Sequence, residues 1–191
     1  MHVSMRAARS SHMHTTLSHH GLLAFEPIAP RDVAFVLDNA RALQLAAQVG
    51  DVRALLRGRK FGLMCEIDDD GDSEHDNASA SASDAALFRR AAVELGAHVA
   101  HIRPSLTELS TPQEVLRTAR MLGRLYDAVE CQGKAANLVH RLDADAGVPV
   151  YDAIASQRHP TAKLDGLLGG DSPALDKRRF VLQAVLLSTV V

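Results

Sequence analysis

The sequence predicts an α/β fold: one domain, with a four-stranded parallel sheet and helices on both faces. Three observations carry this. Short apolar runs alternate with segments of helical period, in the order α, β-α-β-α-β-α-β-α, α. At 191 residues and 47% apolar content the chain is long enough to bury one sizeable core. Aromatics are only 4% and Trp is absent, so Ala, Leu and Val build that core, as α/β packing requires. Right-handed crossovers then place helices on both faces of the sheet. There is no internal repeat.

In chain order, residues 1–21 are polar and His-rich (His12, His14, His19, His20) and read as a disordered tail. No second ligand type clusters there, so no metal site is expected. The domain is expected over 22–191. Pro30 opens a helix to about Val49, in which Val33, Val36, Leu37, Ala40, Leu43 and Ala47 share one stripe and Gly50 ends the run. Arg57-Gly58 turns the chain into a first strand, Phe61–Cys65. An acidic, Ser/Ala-rich loop is expected from Glu66 to Ser83, then a helix from Asp84 to Leu95 and a second strand, His98–Ile102. This is a βαβ unit, and the loop leaving its first strand lies at the sheet's carboxyl edge, where open α/β sheets bind ligands. Thr111-Pro112-Gln113-Glu114 opens the next helix with a capping box. A third strand follows at Asp127–Cys131, a helix at Lys134–Ala146 ended by Gly147, and a fourth strand at Val148–Tyr151. A helix from Pro160 to about Leu168 is stopped by Gly169-Gly170, and a last helix runs from Ser172-Pro173 through Leu187.

A net charge of about −2 gives no global field for nucleic acid or anionic membranes. No apolar run approaches the ~18 residues that span a membrane, and no apolar stretch follows Arg6 and Arg9 as in a signal peptide, so a cytoplasmic protein is expected. Cys65 and Cys131 both fall in expected strands and read as buried free thiols.

The loop after the first strand carries Glu66, Asp68, Asp69, Asp70, Asp72, Glu74 and Asp76 with no Lys or Arg among them. Glu66-x-Asp68-x-Asp70-Gly71 echoes a calcium-loop spacing. Its first position is Glu, its twelfth is Asn77, and a strand precedes it, so a mobile, solvated insertion is the plainer reading and no metal is expected. His98 and His101 belong to opposite faces of a strand and read as packing residues. His159 precedes a helix at the carboxyl edge and is the more telling histidine. No Ser sits in a nucleophile-elbow motif.

Several stretches together resemble a known family. Leu55-Leu56-Arg57-Gly58-Arg59 ahead of an apolar strand, Phe88 with Ala91–Val99, Thr118–Leu122 with Tyr126–Val129, and Val148-Pro149-Val150 with His159-Pro160-Thr161 and Leu167-Leu168 are similar to the carbamoyl-phosphate-binding domain of aspartate and ornithine carbamoyltransferases. The likeness runs from about Leu22 to Leu168. Asp176–Leu187 then resembles the family's terminal helix, as though the second, amino-acid-binding domain were excised and the helix rejoined. What the resemblance implies is a carbamoyltransferase-like protein of amino-acid metabolism, trimeric or mixed with an active relative, with no cofactor.

The ligand positions depart from the family. Where the family carries Ser-Thr-Arg-Thr-Arg at a helix N-terminus, with backbone N–H groups and arginines around a phosphate, this chain has Ser81-Ala82-Ser83-Asp84-Ala85. Asp84 is expected to cap that helix itself. A further family Arg corresponds to about Gln132, and the Gln of the family's His-Pro-x-Gln to Ala162, which leaves His159. At ~1.5–3 kcal/mol per charged hydrogen bond, three lost arginines remove on the order of 5–9 kcal/mol of anion binding if the effects add. No catalytic residue is assigned. Two readings follow: a non-catalytic domain acting through binding or assembly, or a residual carbamoyltransferase whose missing residues a partner subunit supplies.

Overall fold

The computed structural model describes residues 27–51, 53–65, 76–103 and 105–191. The expected tail, 1–21, and the acidic stretch 66–75 with its calcium-like spacing lie outside the described residues. Four short strands, β1 (Lys60–Met64), β2 (His98–Ile102), β3 (Ala128–Cys131) and β4 (Val150–Asp152), pair in the order β2-β1-β3-β4. All three pairings are parallel, with Phe61 level with Val99 and Ala128, and Val129 level with Val150. The expected four-stranded parallel sheet is therefore present.

Helices α1 (Pro30–Gln48), α2 (Asp76–Glu94), α3 (Pro112–Leu125), α4 (Ala136–Ala146) and α5 (Ala174–Val190), with a 3₁₀ segment at Pro160–Leu167, cover the two faces. Alternate strand residues feed two cores. Phe61, Leu63, Ala128 and Tyr151 meet α1, α2, α5 and the 3₁₀ segment on one face, while Met64, Val129, Cys131 and Val150 meet α3 and α4 on the other. Phe88 of α2 sits edge-on to Phe61, centroids 6.1 Å apart, and 6.2 Å from Tyr151. Cys65 and Cys131 are buried free thiols, as expected.

Helix α3 starts where its sequence says it should. The Thr111 hydroxyl accepts from the Glu114 N–H, and the Glu114 carboxylate accepts from the Thr111 N–H at 2.7 Å. α3 and α4 approach so closely at Gly123 that a Cβ there would lie 1.8 Å from the Ala146 carbonyl oxygen. α5 is buried without interruption from Phe180 to Leu186, against α1, α2 and the 3₁₀ segment. A helix enclosed on all sides shows no single apolar stripe. Its docking on the sheet's first face matches the expectation. Among the described residues, no helix is long and apolar enough to cross a membrane.

Two expectations change. Pro160–Leu167 forms a 3₁₀ helix instead of an α-helix. More consequentially, α2 begins at Asp76, eight residues before the expected start at Asp84. Residues 76–83 of the expected loop are therefore helical. The Ser/Ala run reads as loop by composition, yet Ala is the best helix former and neither Gly nor Pro interrupts 76–94. Once Ala85, Phe88, Ala91 and Ala92 anchor the helix on the sheet, extending it toward the N-terminus costs little.

Candidate functional site

Parallel pairing brings the carboxyl ends of all four strands to one edge. The chain leaves β1 at Cys65, β2 at Arg103, β3 at Gln132 and β4 at Ala153. The residues singled out from sequence can be placed against that edge.

Ser81, Ala82, Ser83 and Asp84 lie inside α2, not at its N-terminus. In an α-helix only the N–H groups of the first turn lack an intrahelical acceptor, and in a helix that begins at Asp76 none of these lies as far along as Ser81. The N–H groups of Ser81–Ala85 are therefore consumed by the helix. Asp84 does not cap it. Its side chain is half-buried, and burial raises its pKa, opposed by a hydrogen bond from Ser156 and by the charges of Arg178 and Arg158. Ala85 faces the core.

Gln132 stands just past β3, buried. Its N–H donates to the Met64 carbonyl at 2.8 Å and its amide donates to Glu130 Oε1 at 2.6 Å. His159 is buried and caps the 3₁₀ segment: Nδ1 accepts from the Thr161 N–H at 3.2 Å and lies 2.8 Å from the Thr161 hydroxyl. Its imidazole thus has a structural task, holding the turn that follows β4. Ala162 follows it, half-buried, with no side-chain donor to offer.

The structure brings in residues that the sequence reading did not single out. Glu130 is fully buried on β3, and Oε2 has no hydrogen-bond partner among the described residues. Burial, together with the carboxylates of Asp152 and Asp84, raises its pKa well above the ordinary range, against the N–H of Ile154 and the amide of Gln132. Burial likewise raises Asp152, and lifts Asp165 to about 6 despite the pull of Arg178. Arg178, on α5, is the cation beneath this group, fully buried. It donates to the carbonyl of Ile154, to Ser156 O at 3.3 Å, Ala155 O at 3.4 Å, the Thr161 hydroxyl at 3.1 Å and Asp165 at 3.4 Å. All of its capacity is spent on the 154–165 turn. A signal existed in each case: Glu130 is a lone acid in an apolar strand, and Arg178 stands in a helix whose next turns are apolar.

At the other end of the same edge, the Cys65 thiol lies 3.5 Å from His101 Nδ1. Burial raises its pKa, opposed by Arg103 and Lys134. His98 and His101 both have exposed side chains. Ala153, first after β4, holds φ 48°, the left-handed region that costs a non-glycine residue about 1–2 kcal/mol. Its N–H donates to the Cys131 carbonyl at 2.9 Å, which fixes the turn.

Chemically, this is a carboxyl-rich edge. Its buried guanidinium is committed to the fold, and burial pushes the pKa of its most buried acid, Glu130, upward. Nothing in that buried group presents a free cation to a phosphate. No group of three or more His, Cys, Asp or Glu side chains is arranged to hold a metal among the described residues.

Comparison with known proteins places the chain. No family model matches it. It is 32% identical over 152 residues to "Ornithine carbamoyltransferase" of Actinobacillus pleuropneumoniae, covering 80% of this chain and 42% of that protein. It is 32% identical over 153 residues to "Ornithine carbamoyltransferase, catabolic" of Chromobacterium violaceum, again 80% and 42%. In fold it is similar to ornithine carbamoyltransferase from Pyrococcus furiosus, with TM-score 0.54 at 19% identity over 72% of this chain and 40% of that one. It is also similar to aspartate transcarbamoylase from Trypanosoma cruzi, with TM-score 0.52 at 21% identity over 74% and 41%. The chain thus spans about two fifths of its relatives' length, 42% of the curated ones.

Proposed function

We propose that this chain, related in sequence and fold to one domain of the ornithine and aspartate carbamoyltransferases, is a non-catalytic carbamoyltransferase-like protein acting through binding or assembly. The observation that supports the reading is the position of Ser81–Ala85. The segment that the resemblance aligns with the family's anion motif lies inside a helix, past the N–H groups that a helix leaves unbonded, and has no arginine in it. Asp84 and Glu130 put carboxyl groups on the same side of the sheet, and Gln132 stands in place of a further arginine. A dianion entering here meets a cluster of acids, and the buried Arg178 is already engaged by the turn after β4.

The resemblance carries the rest of the proposal: a cytoplasmic protein, self-associating as a trimer or mixed with an active relative, with no nucleic-acid or membrane partner. Calorimetry with millimolar carbamoyl phosphate is expected to show no binding. A citrulline or carbamoyl-aspartate assay, on the protein alone and mixed with an active ornithine carbamoyltransferase, is expected to show nothing above the relative's own rate. Binding by the protein alone would overturn the reading, and extra product in the mixture would favour a residual enzyme completed by a partner. Grafting arginines at Ser83 and Ala85 is not expected to restore binding, because Ala85 faces the core.

A further inference from the structure

Helix α3 turns Val115, Ala119 and Leu122 toward the sheet and leaves its opposite side open. On that side Arg117, Arg120 and Arg124 share a stripe about 60° wide, given 100° of turn per residue. Leu116 borders the stripe on one flank, Met121 and Leu125 on the other, around a shallow groove of about 580 Å³. Met121 is 46% and Leu125 54% exposed, large values for apolar side chains. Among the described residues, none of the three guanidinium groups makes a hydrogen bond or an ion pair. Glu114, the one acid of the helix, is held by the N–H and hydroxyl of Thr111 and feels the charge of Arg117 without pairing with it. A chain of net charge about −2 thus gathers three unpaired cations on two turns of one exposed helix.

We propose that this ridge docks an acidic amphipathic helix of another protein. Charge, spacing and the apolar flank each select that occupant. Unpaired guanidinium groups on the surface call for carboxylates. Along α3 the three arginines rise by about 4.5 Å and then about 6 Å. A helix lying alongside, with Glu or Asp three and four residues apart, repeats those rises and meets each arginine. An extended strand, whose same-face residues recur every ~6.6 Å, falls out of step. Exposed Met121 and Leu125 favour a protein over a nucleic acid, because a neighbouring Leu or Ile covers them and a phosphate backbone does not. Among the described residues, no helix of this chain carries three acids three and four residues apart, so the partner helix belongs to a different protein. A contact of two helical turns is small, which suits a transient complex.

The contact rests on the binding reading of the chain and gives it a surface. It is read by peptide binding, independently of the carbamoyl-phosphate and transfer assays that test loss of catalysis. The probe is a fluorescent, Ala-based helical peptide of about 20 residues, with Glu at the matching positions and Leu beside them. Its control has the same composition, scrambled so that the acids share no face. Fluorescence anisotropy with the full chain is expected to show saturable binding of the probe, weakened about tenfold or more between about 50 mM and 0.5 M salt. The control is expected to bind about tenfold more weakly, as is the probe to Arg117→Ser with Arg120→Ser and Arg124→Ser. Met121→Ser with Leu125→Ser is expected to weaken binding about threefold or more. Circular dichroism confirms that each variant folds. Where the triple variant does not, Arg120→Glu, with binding restored by a probe carrying Lys in place of the facing Glu, reads the same contact. No saturation at about 1 mM probe in low salt, a control that binds like the probe, or variants that bind like the wild type would each overturn the proposal. So would duplex DNA that binds the ridge as tightly as the probe, or self-association of the chain through the ridge that blocks the probe.

Discussion

The two faces of the sheet are built on different principles. The α3/α4 face is apolar throughout, with Met64, Val115, Leu122, Val129, Leu138 and Leu142 closed tightly enough to need Gly123 at the helix contact. The face under α1, α2 and α5 has a larger core, but it also encloses Glu130, Thr161, Arg178 and Gln183. The first face is held mainly by packing, with Arg141 of α4 donating to the Ser110 carbonyl at 2.9 Å. The second is held partly by a polar network that stitches α5 to the turn after β4, and Gln183 and Arg179 extend it to Glu94 of α2. Polar atoms in a core are tolerated when they are satisfied and costly when they are not. The network is thus a point of vulnerability that the apolar face lacks, and it lies where ligand chemistry would be expected.

The contrast breaks most readily at Arg178. Arg178→Leu removes the donor to three carbonyls, the Thr161 hydroxyl and Asp165, and is expected to cost ~3–5 kcal/mol, seen as a lowered urea midpoint. On the apolar face Leu122→Ala is expected to cost ~3 kcal/mol through transfer and cavity terms, with no dependence on pH. If Leu122→Ala costs more than Arg178→Leu, the network is not what distinguishes the faces.

A finer test changes slope instead of level. Burial raises the pKa of Glu130, so the folded state binds that proton more tightly than the unfolded chain does. Its stabilising contribution is complete below the ordinary glutamate pKa and is lost as pH rises through the folded value. Asp165, at about 6, acts with the same sign between roughly pH 4 and 6. Glu130→Gln is expected to leave stability at pH 5 nearly unchanged and to raise it relative to wild type at pH 8, measured by urea unfolding at both. An unchanged slope would show that Glu130 is ionised in the fold.

Element order, parallel pairing and the start of α3 were legible because each rests on local signals. Apolar runs bounded by Gly mark the strands, and Thr111 with Pro112 and Glu114 caps a helix within four residues. The start of α2 was not legible. A Ser/Ala run is consistent with a solvated loop and with a helix, and contacts made by Ala85 and Phe88 downstream select the helix. That choice moved Asp84 from a cap to the middle of α2, and the candidate site changed with it. Glu130 was visible as a charge in an apolar strand and Arg178 as one of a charged run, Asp176–Arg179, ahead of an apolar one, but not their company: one is on β3 and the other on α5, with 47 residues of chain between them.

The sequence by itself determined the fold class, the resemblance to carbamoyltransferases and the absence of arginines from the expected anion motif, because composition, periodicity and motif spacing are properties of the chain alone. Only the tertiary structure decided which backbone N–H groups remain available, which acids are buried together and where Arg178 spends its donors. Those depend on which distant segments exclude water from one another, and burial sets both the worth of a hydrogen bond and the protonation of a carboxyl group.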